Sequence, residues 1–349
     1  MKKRVFALMM ASVMAFGLLA GCSGGKASPS PSASSSPEVT PSVEPAPVER
    51  PKVNVAMLKG PTGMGAAKLM ADNEEGITLN DYTFTVYTEN TEVTNALAQG
   101  DLDIAALATN VAANFYNKTK GIKIIAINTF GVLKILQNGE GEAITDLSQL
   151  KGETVFATGQ GANPEYVLNY LLTESGVDPA EDVDIRWMTA EEVTQGIISG
   201  TTKFAMLPVP AATTAGIQSQ GAVKQVLDLG EQWEILSDDS KLTMGCVVVR
   251  KAFAEENPDV VRDFLAEYEA SITYMKNPDN VNEAGTLLEK YGIVPKAAVA
   301  MKALAQVDIA YLAGIRNIRD TIQGYYEVLY AANPASIGGG IPDDAFYFE

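Results

Sequence analysis

The stretch at residues 53–70, VNVAMLKGPTGMGAAKLM, constrains the fold more than any other part of the sequence. Its apolar opening predicts a short buried strand, KGPTG a turn, and the rest the start of a helix. Thr62 is the expected N-cap, because its hydroxyl can accept a hydrogen bond from a free amide in the first helical turn. Ligands of open α/β sheets bind beyond the carboxyl ends of the strands. This turn is therefore a candidate wall of a ligand cleft.

The first fifty residues predict an exported, membrane-anchored protein. A basic start and an apolar run to Ala20 are typical of a secretory signal at residues 1–21, and the run is short for a membrane span. The sequence LLAGC, which ends at Cys22, resembles the lipobox of bacterial lipoproteins, in which the Cys carries lipid. The alternative is an ordinary signal peptide with a chance Cys. Residues 22–50 are rich in Ser, Pro and Ala and predict a disordered tether, which holds the body on the extracytoplasmic face of the cell membrane.

Charge and composition argue against several classes of function. The formal net charge is −17, and it falls to −20 when Lys2, Lys3 and Arg4 leave with the signal, which argues against nucleic acid as a partner. The chain has no His, so it lacks Ser-His and Cys-His nucleophiles and the commonest zinc ligands. No Asp/Glu spacing resembles a calcium loop, and we expect neither a metal nor a cofactor. Cys246 lies in an apolar run and is expected in the core, with a reactive thiol as the alternative.

Two similar sets of strand, polar turn and helix follow one another along the chain. Strands are expected at 53–58, 82–88, 104–107 and 122–128, and again at 154–157, 183–187, 204–207 and 223–227, which favours mainly parallel sheets. The strand at 244–250 is expected to return to the first set. The fold class is therefore α/β, with two lobes, a hinge and a ligand cleft between them. Lobe 1 is expected at residues 51–140 and 243–349, with a helix at 296–307 and a loosely packed tail, and lobe 2 at 141–242.

Several segments in this order resemble the solute-binding proteins of ABC importers. They are VNVAMLKGPTGMGAAKLM, NALAQGDLDIAAL, DLSQLKGETVFATGQGANPEYVLNYLL, FAMLPVPAATTA and VVVRKAFAEENPDVVRDFLAEYEAS. The likeness is to the branch with the nitrate/sulfonate/taurine and thiamine-precursor (NMT1/THI5-like) binding proteins, and it covers essentially all of residues 51–349. It implies a type II periplasmic-binding-protein fold without catalysis, and we expect a monomer. Such a protein captures a small solute and delivers it to a permease driven by an ATPase. The sequence departs from the group at Leu207-Pro208-Val209-Pro210, where members often carry a charged or aromatic residue.

The candidate ligand-binding residues stand at the predicted strand ends of both lobes. Thr62 and the amides of Gly63 and Met64 could hold an anionic or carbonyl group, and Glu89 would suit an amine. The alternative is that all of them are simply good turn and cap residues. The full set is Lys59, Gly60, Thr62, Gly63, Met64, Thr88, Glu89, Thr109, Asn110 and Thr129 from lobe 1, and Thr158, Gly159, Gln160, Asn163, Pro208 and Pro210 from lobe 2.

These candidates include no Arg, and Lys59 is their one cation. A bidentate Arg clamp on a sulfonate or carboxylate is therefore not expected, which favours a neutral or zwitterionic small molecule. Two other functions stay open beside transport. One is a surface sensor of the same fold, and the other is an enzyme like the pyrimidine synthase of this branch. The chemistry of that synthase depends on histidine, which this chain lacks.

Overall fold

A computed structural model describes residues 50–237 and 240–349 of the 349-residue chain. The predicted signal, lipidated Cys22 and tether lie outside the described residues, apart from Arg50 at the end of the tether. Within the described part, no helix combines the length and the apolar character needed to span a membrane.

The described residues form two mixed sheets with helices on their faces. The strands are β1 Lys52–Leu58, β2 Asp81–Tyr87, β3 Ile104–Ala108, β4 Ile122–Thr129, β5 Leu133–Asn138, β6 Thr154–Ala157, β7 Asp184–Trp187, β8 Phe204–Pro208, β9 Val223–Asp228, β10 Gly245–Arg250 and β11 Ile309–Ala313. The helices are α1 Pro61–Met64, α2 Ala67–Glu74, α3 Asn90–Gln99, α4 Thr109–Thr119, α5 Asn163–Glu174, α6 Ala190–Ile198, α7 Ala211–Gln218, α8 Leu229–Leu236, α9 Lys251–Glu256, α10 Pro258–Lys276, α11 Val281–Lys290, α12 Ala297–Leu304 and α13 Ile315–Ala332.

The strand order explains how one chain builds both sheets. The first sheet has the order β11-β4-β10-β3-β1-β2 and the second β7-β6-β8-β5-β9. The chain passes to the second sheet between β4 and β5 and returns at β10, which lies antiparallel between β3 and β4. The α/β fold with two lobes is therefore confirmed. The sheets are mixed rather than mainly parallel, because each strand that follows a crossing enters its sheet in the opposite direction.

The crossing to the second sheet comes earlier than expected. Lobe 1 was placed at residues 51–140, but β5 pairs with β8 and β9 of the second sheet. The connection between the sheets is therefore the short segment between Thr129 and Leu133. The run VLKILQN reads equally well as a last strand of one sheet or a first strand of the next, because both of its faces are buried.

Helix α10 covers one face of the first sheet. Val261, Phe264, Tyr268 and Ile272 recur at helical spacing, and all four are buried against β1, β3 and β10. Burying a side chain of this size contributes about 1.5–3 kcal/mol. This packing fixes the sheet whose strand ends carry most of the candidate residues.

The chain after residue 296 differs from its predicted course. The expected helix at 296–307 ends at Leu304, and β11 then pairs with β4 at the edge of the first sheet. The tail was expected to pack loosely, but it is firmly held. Phe346 is fully buried, and the Phe348 amide donates a 3.1 Å hydrogen bond to the Ile124 carbonyl. Its last aromatic residues fill a gap beside β4 that the sequence pattern alone does not reveal.

Candidate functional site

The return of the chain to the first sheet brings the ends of several strands together. The Met244 amide donates to the Thr129 carbonyl at 3.0 Å, where β4 ends. The Met244 carbonyl accepts from the Thr109 amide at 3.3 Å, where β3 gives way to α4. The backbone of Met244 therefore links two strand ends that the sequence had marked as ligand-binding. We call the surroundings of Thr243, Met244 and Gly245 the junction.

A wall of polar oxygens stands against Gly245 on the side of the first sheet. A Cβ on Gly245 would lie 2.7 Å from Asn128 Oδ1 and 3.0 Å from the Oγ1 atoms of Thr62 and Thr129, so only glycine fits. Asn128 organises this wall. Its Nδ2 donates to the Thr62 carbonyl at 2.9 Å and to the Tyr268 hydroxyl at 3.0 Å, and its Oδ1 accepts from Thr129 Oγ1 at 3.1 Å.

The second sheet contributes Asn163 to the junction. Asn163 is the first residue of α5, is 6% exposed, and directs its Nδ2 at Met244 Sδ, 3.3 Å away. A thioether is a weak acceptor, so this is a poor partner for an amide. The hydroxyl of Tyr325, a fully buried residue of α13, lies beside the Asn163 amide. Neither Asn163 Oδ1 nor the Tyr325 hydroxyl has a protein hydrogen bond of good geometry.

Three more buried polar atoms, on residues at or next to the junction, lack a protein hydrogen bond of good geometry. They are Thr109 Oγ1, Asn110 Oδ1 and Thr243 Oγ1. Leaving such an atom buried and unpaired costs about 1–3 kcal/mol, so a group of them in one place is a reason to expect a ligand. These five atoms come from α4, α5, α13 and the returning segment.

The junction carries no charge at neutral pH. Burial raises the pKa of the Cys246 thiol to about 12, and the nearby Thr109 hydroxyl lowers it in part. Cys246 is therefore a neutral core residue, as expected. Burial also raises the pKa of the Tyr325 hydroxyl well above its ordinary value, with the Asn163 amide opposing the shift. Across the described residues, no group of three His, Cys, Asp or Glu side chains could hold a metal ion.

A cavity of about 470 Å³ opens next to the junction. It is lined by residues of α3 and α4 on one side and by Gly161, Ala162 and Tyr166 on the other. Asn110 is part of its lining, so the cavity borders one of the five residues whose polar atoms are described above. Its volume lies within the range of small-molecule sites, which is about 300–1,000 Å³.

The turn after β1 is built differently from the prediction. Helix α1 begins at Pro61 and has only four residues, so Thr62 lies inside it and is not its N-cap. The Gly63 amide donates to the Gly60 carbonyl at 3.1 Å and is not free for an anion, and Met64 is buried. The Gly60 amide donates to the Ile293 carbonyl at 2.9 Å. Lys59 is exposed, and within the described part of the chain its side chain forms no ion pair.

Two further candidates of lobe 1, Thr88 and Glu89, lie at the start of α3. The amides of Thr88 and Glu89 both donate to the Glu92 carboxylate, at 3.2 and 3.1 Å. Glu89 is exposed and is the N-cap residue of α3. The structure thus gives both residues a capping role, and contact of Glu89 with an amine stays a prediction.

The remaining candidates of lobe 2 frame α5 and α7. Thr158 and Gly159 precede α5, and Gly159 has a φ of +94° and packs against Pro164, where a Cβ would collide. Gln160 is exposed in the same loop. Pro208 ends β8, and the Pro210 carbonyl accepts from the Thr214 hydroxyl at 3.0 Å at the start of α7. The hydrogen bonds of the described residues do not connect these five to the junction.

Asn128, Thr243, Met244 and Tyr325 were missed by sequence reasoning. Asn128 did carry a signal, because it is an amide inside the otherwise apolar strand IKIIAINT, and buried polar groups need partners. Tyr325 carried none, because it follows the apolar face of α13 like any core residue.

Solved structures of binding proteins share this fold. An ABC transporter structure from Parabacteroides distasonis is 24% identical, with a TM-score of 0.69, and the match covers 85% of this chain and 98% of that one. The periplasmic aliphatic sulphonate binding protein of Escherichia coli is 17% identical, with a TM-score of 0.66 and coverage of 84% and 92%. The periplasmic nitrate-binding protein of Synechocystis is 15% identical, with a TM-score of 0.52 and coverage of 73% and 69%. At these identities the likeness establishes the fold alone.

Comparison by sequence gives a more direct assignment. A search of curated proteins returned no match. The family model described as NMT1/THI5 like matches residues 73–281, which is more than half of the chain and includes β3, β4, β10 and the whole second sheet. The resemblance inferred from the sequence is therefore confirmed: this chain belongs to the NMT1/THI5-like family.

Proposed function

We propose that this protein is the extracytoplasmic solute-binding component of an ABC importer, which captures a small organic molecule between its two sheets and delivers it to a permease. The observation that carries the proposal is the junction. Asn163 of the second sheet's side meets Met244 just before β10 of the first, and buried polar atoms from several elements lack good protein hydrogen bonds there. Family membership and the shared two-lobe fold support the same role.

We further propose that the protein acts as a monomer held at the outer face of the cell membrane by lipid on Cys22. The support is the sequence LLAGC and the Ser/Pro/Ala-rich segment after it. A chain anchored in this way stays close to its permease while the tether allows it to reorient.

The proposal assigns the protein no catalytic activity. A pyrimidine synthase of this branch would need histidine, which the sequence lacks, and the groups at the junction are uncharged amides, hydroxyls and one thiol. Incubating the purified protein with pyrimidines and other candidate solutes, followed by proton NMR over a day, tests this point. Unchanged spectra are expected, whereas a product that grows with time would contradict it.

Crosslinking on the surface of the native cells tests the transport role. Tagged protein crosslinked in place should recover a permease and its ATPase as one complex. Recovery of a membrane receptor with a signalling domain, in place of a permease, would contradict transport and favour the surface sensor. A variant with a rigid helical insertion in residues 30–40 is the control. It changes the length and stiffness of the tether, so the yield of the crosslinked complex should change.

A further inference from the structure

We propose that the solute is uncharged and offers adjacent hydrogen-bond donors and acceptors, as a carboxamide or an amino-carbonyl ring does, and that sulfonate, nitrate and carboxylate ions are not its class. This inference deepens the proposed function and rests on it. It follows from the chemistry of the atoms at the junction.

The unpartnered atoms at the junction call for donors on the ligand. Asn110 Oδ1 and Asn163 Oδ1 are amide oxygens, which only accept hydrogen bonds. The hydroxyls of Thr109, Thr243 and Tyr325 can donate or accept. Nitrate and sulfonate ions present only acceptors, so they would leave both amide oxygens unpaired. A group with N–H next to C=O satisfies the amide oxygens and the hydroxyls together.

The side chains of the junction also offer an ion no counter-charge. The side chains that meet there are amides, hydroxyls, the thioether of Met244 and the neutral thiol of Cys246. The backbone amide of Gly63, which could have helped to hold an anion, is already bonded to the Gly60 carbonyl. An ion enclosed among such groups would be buried without a counter-charge, which is strongly unfavourable.

Met244 occupies the position that a polar group of the solute would take. Its Sδ accepts from Asn163 Nδ2 at 3.3 Å. Because a thioether accepts weakly, a carbonyl oxygen on the solute is the better partner for Asn163 and can displace the Met244 side chain. Asn163 and Met244 are therefore assigned as specificity-determining residues.

A thermal-shift comparison of matched compounds tests the ligand class. The mature protein is heated with nicotinamide or cytosine, which are uncharged, and with nicotinate, orotate, methanesulfonate or nitrate, which are anions. A ligand that binds only the folded state raises the melting temperature. We expect a rise of several degrees with at least one uncharged compound and none with the ions.

Variants test whether the rise in melting temperature depends on the junction. Asn163→Ala and Asn110→Ala should each remove it, whereas the exposed Asn282→Ala should retain it. Met244→Leu keeps the volume but removes the sulfur, so it should retain or increase the rise. If Asn163→Ala does not fold by circular dichroism, Asn110→Ala at the cavity wall gives the same readout.

The outcomes separate this inference from the proposed function. Stabilisation by methanesulfonate, nitrate, nicotinate or orotate, or by no compound in either set, would overturn the ligand class. A rise that survives both Asn163→Ala and Asn110→Ala would overturn the assignment to the junction. The transport role would still stand in each case if surface crosslinking recovers a permease.

Discussion

Lys134 shows how single residues hold the crossing between the two sheets. It is 1% exposed at the start of β5, and its ammonium pairs with the carboxylate of Asp228, which is 21% exposed. Asp228 also caps α8 by accepting the Gly230 amide at 2.8 Å. Gly230 packs directly on Gly131 of the crossing, where a Cβ on Gly131 would lie 2.5 Å from the Gly230 Cα. One carboxylate thus joins β5, β9 and α8 next to the connection.

Removing Asp228 should be costly. Asp228→Ala leaves Lys134 buried without a counter-charge and removes the cap, so we expect a loss of about 3–5 kcal/mol in the free energy of unfolding, measured by urea denaturation. Asp228→Asn combined with Lys134→Met should recover most of that loss, because no buried charge remains. If Asp228→Ala costs less than about 1 kcal/mol, the pair is not structurally important.

The polar residues also show how far sequence reasoning reaches at this scale. Thr109, Asn110 and Asn163 were selected because polar residues follow buried strands. Thr109 and Asn163 contact Met244, and Asn110 follows Thr109 directly. Thr88, Gln160 and Pro210 satisfied the same criterion, but no hydrogen bond among the described residues connects them to the junction. Position after a strand is a local property, whereas which strand ends converge depends on the order of strands in the sheet. Tyr325 could not be selected at all, because only its packing distinguishes it from a core residue.

At the scale of elements, the C-terminal segment after α13 fastens the helix that carries Asn110. Asn117 Nδ2 of α4 donates to the carbonyls of Ile337 and Gly340 at 2.7 and 2.5 Å. The ring of Phe346 lies 4.8 Å from that of Tyr116, also on α4. These contacts join residues more than two hundred positions apart. The sequence pattern, which describes neighbours along the chain, could not predict them.

Truncating Phe346 tests this fastening. Phe346→Ala should lower the free energy of unfolding by about 3–5 kcal/mol, because a fully buried ring leaves a cavity beside Tyr116. Tyr330→Ala is the matched control, since Tyr330 is 43% exposed and should change stability by less than about 1 kcal/mol. Similar losses for both variants by thermal denaturation would show that the segment does not support the fold.

Acid should loosen the same segment. The Tyr116 hydroxyl and the Lys120 ammonium hold the pKa of the Asp343 carboxyl below its ordinary value of 3.8. A lowered pKa in the folded state stabilises the protein above the ordinary value, and this contribution is lost as the pH falls through the folded pKa. The carboxylate is largely exposed, so the effect is small. Between about pH 5 and about pH 3, the melting temperature of Asp343→Asn should fall less than that of the parent protein. Parallel curves for the two proteins would contradict this account.

The elements missed from the sequence have a common physical reason. Strand β11 is five residues long at a sheet edge, and α8 is an eight-residue helix that follows β9 directly. Neither is long enough to show a clear periodicity. The long helix α10, with nineteen residues and a strong apolar face, shows the helical periodicity clearly.

At the scale of the whole molecule, the two sheets are joined near the site itself. The outgoing connection follows Thr129, and the returning one ends at Gly245, whose backbone lies against Thr129. A rotation of one lobe about these connections would change the distance between Asn163 and Met244. Contacts elsewhere would change too, including the Tyr166 hydroxyl, which accepts from Asn333 Nδ2 at 2.8 Å. Such an arrangement is suited to opening and closing around a solute.

The membrane anchor belongs to the same scale. Cys22→Ser should move the protein from the membrane fraction to the medium or the soluble extracytoplasmic fraction, because the lipid-bearing residue is lost. Fractionation with immunoblotting measures this, and Ser23→Ala is the control that should remain with the membrane. If Cys22→Ser stays membrane-bound, the anchor is not at this residue.

The most direct test of the central claim is a crystal structure of the protein purified from its own cells together with the solute that it carries. The account predicts density for one small uncharged molecule between the two sheets, within hydrogen-bond distance of Asn163 and of the Thr109–Asn110 end of β3, with the Met244 side chain displaced. A solute bound on an outer face of either lobe, with the contact between Asn163 and Met244 intact, would contradict it.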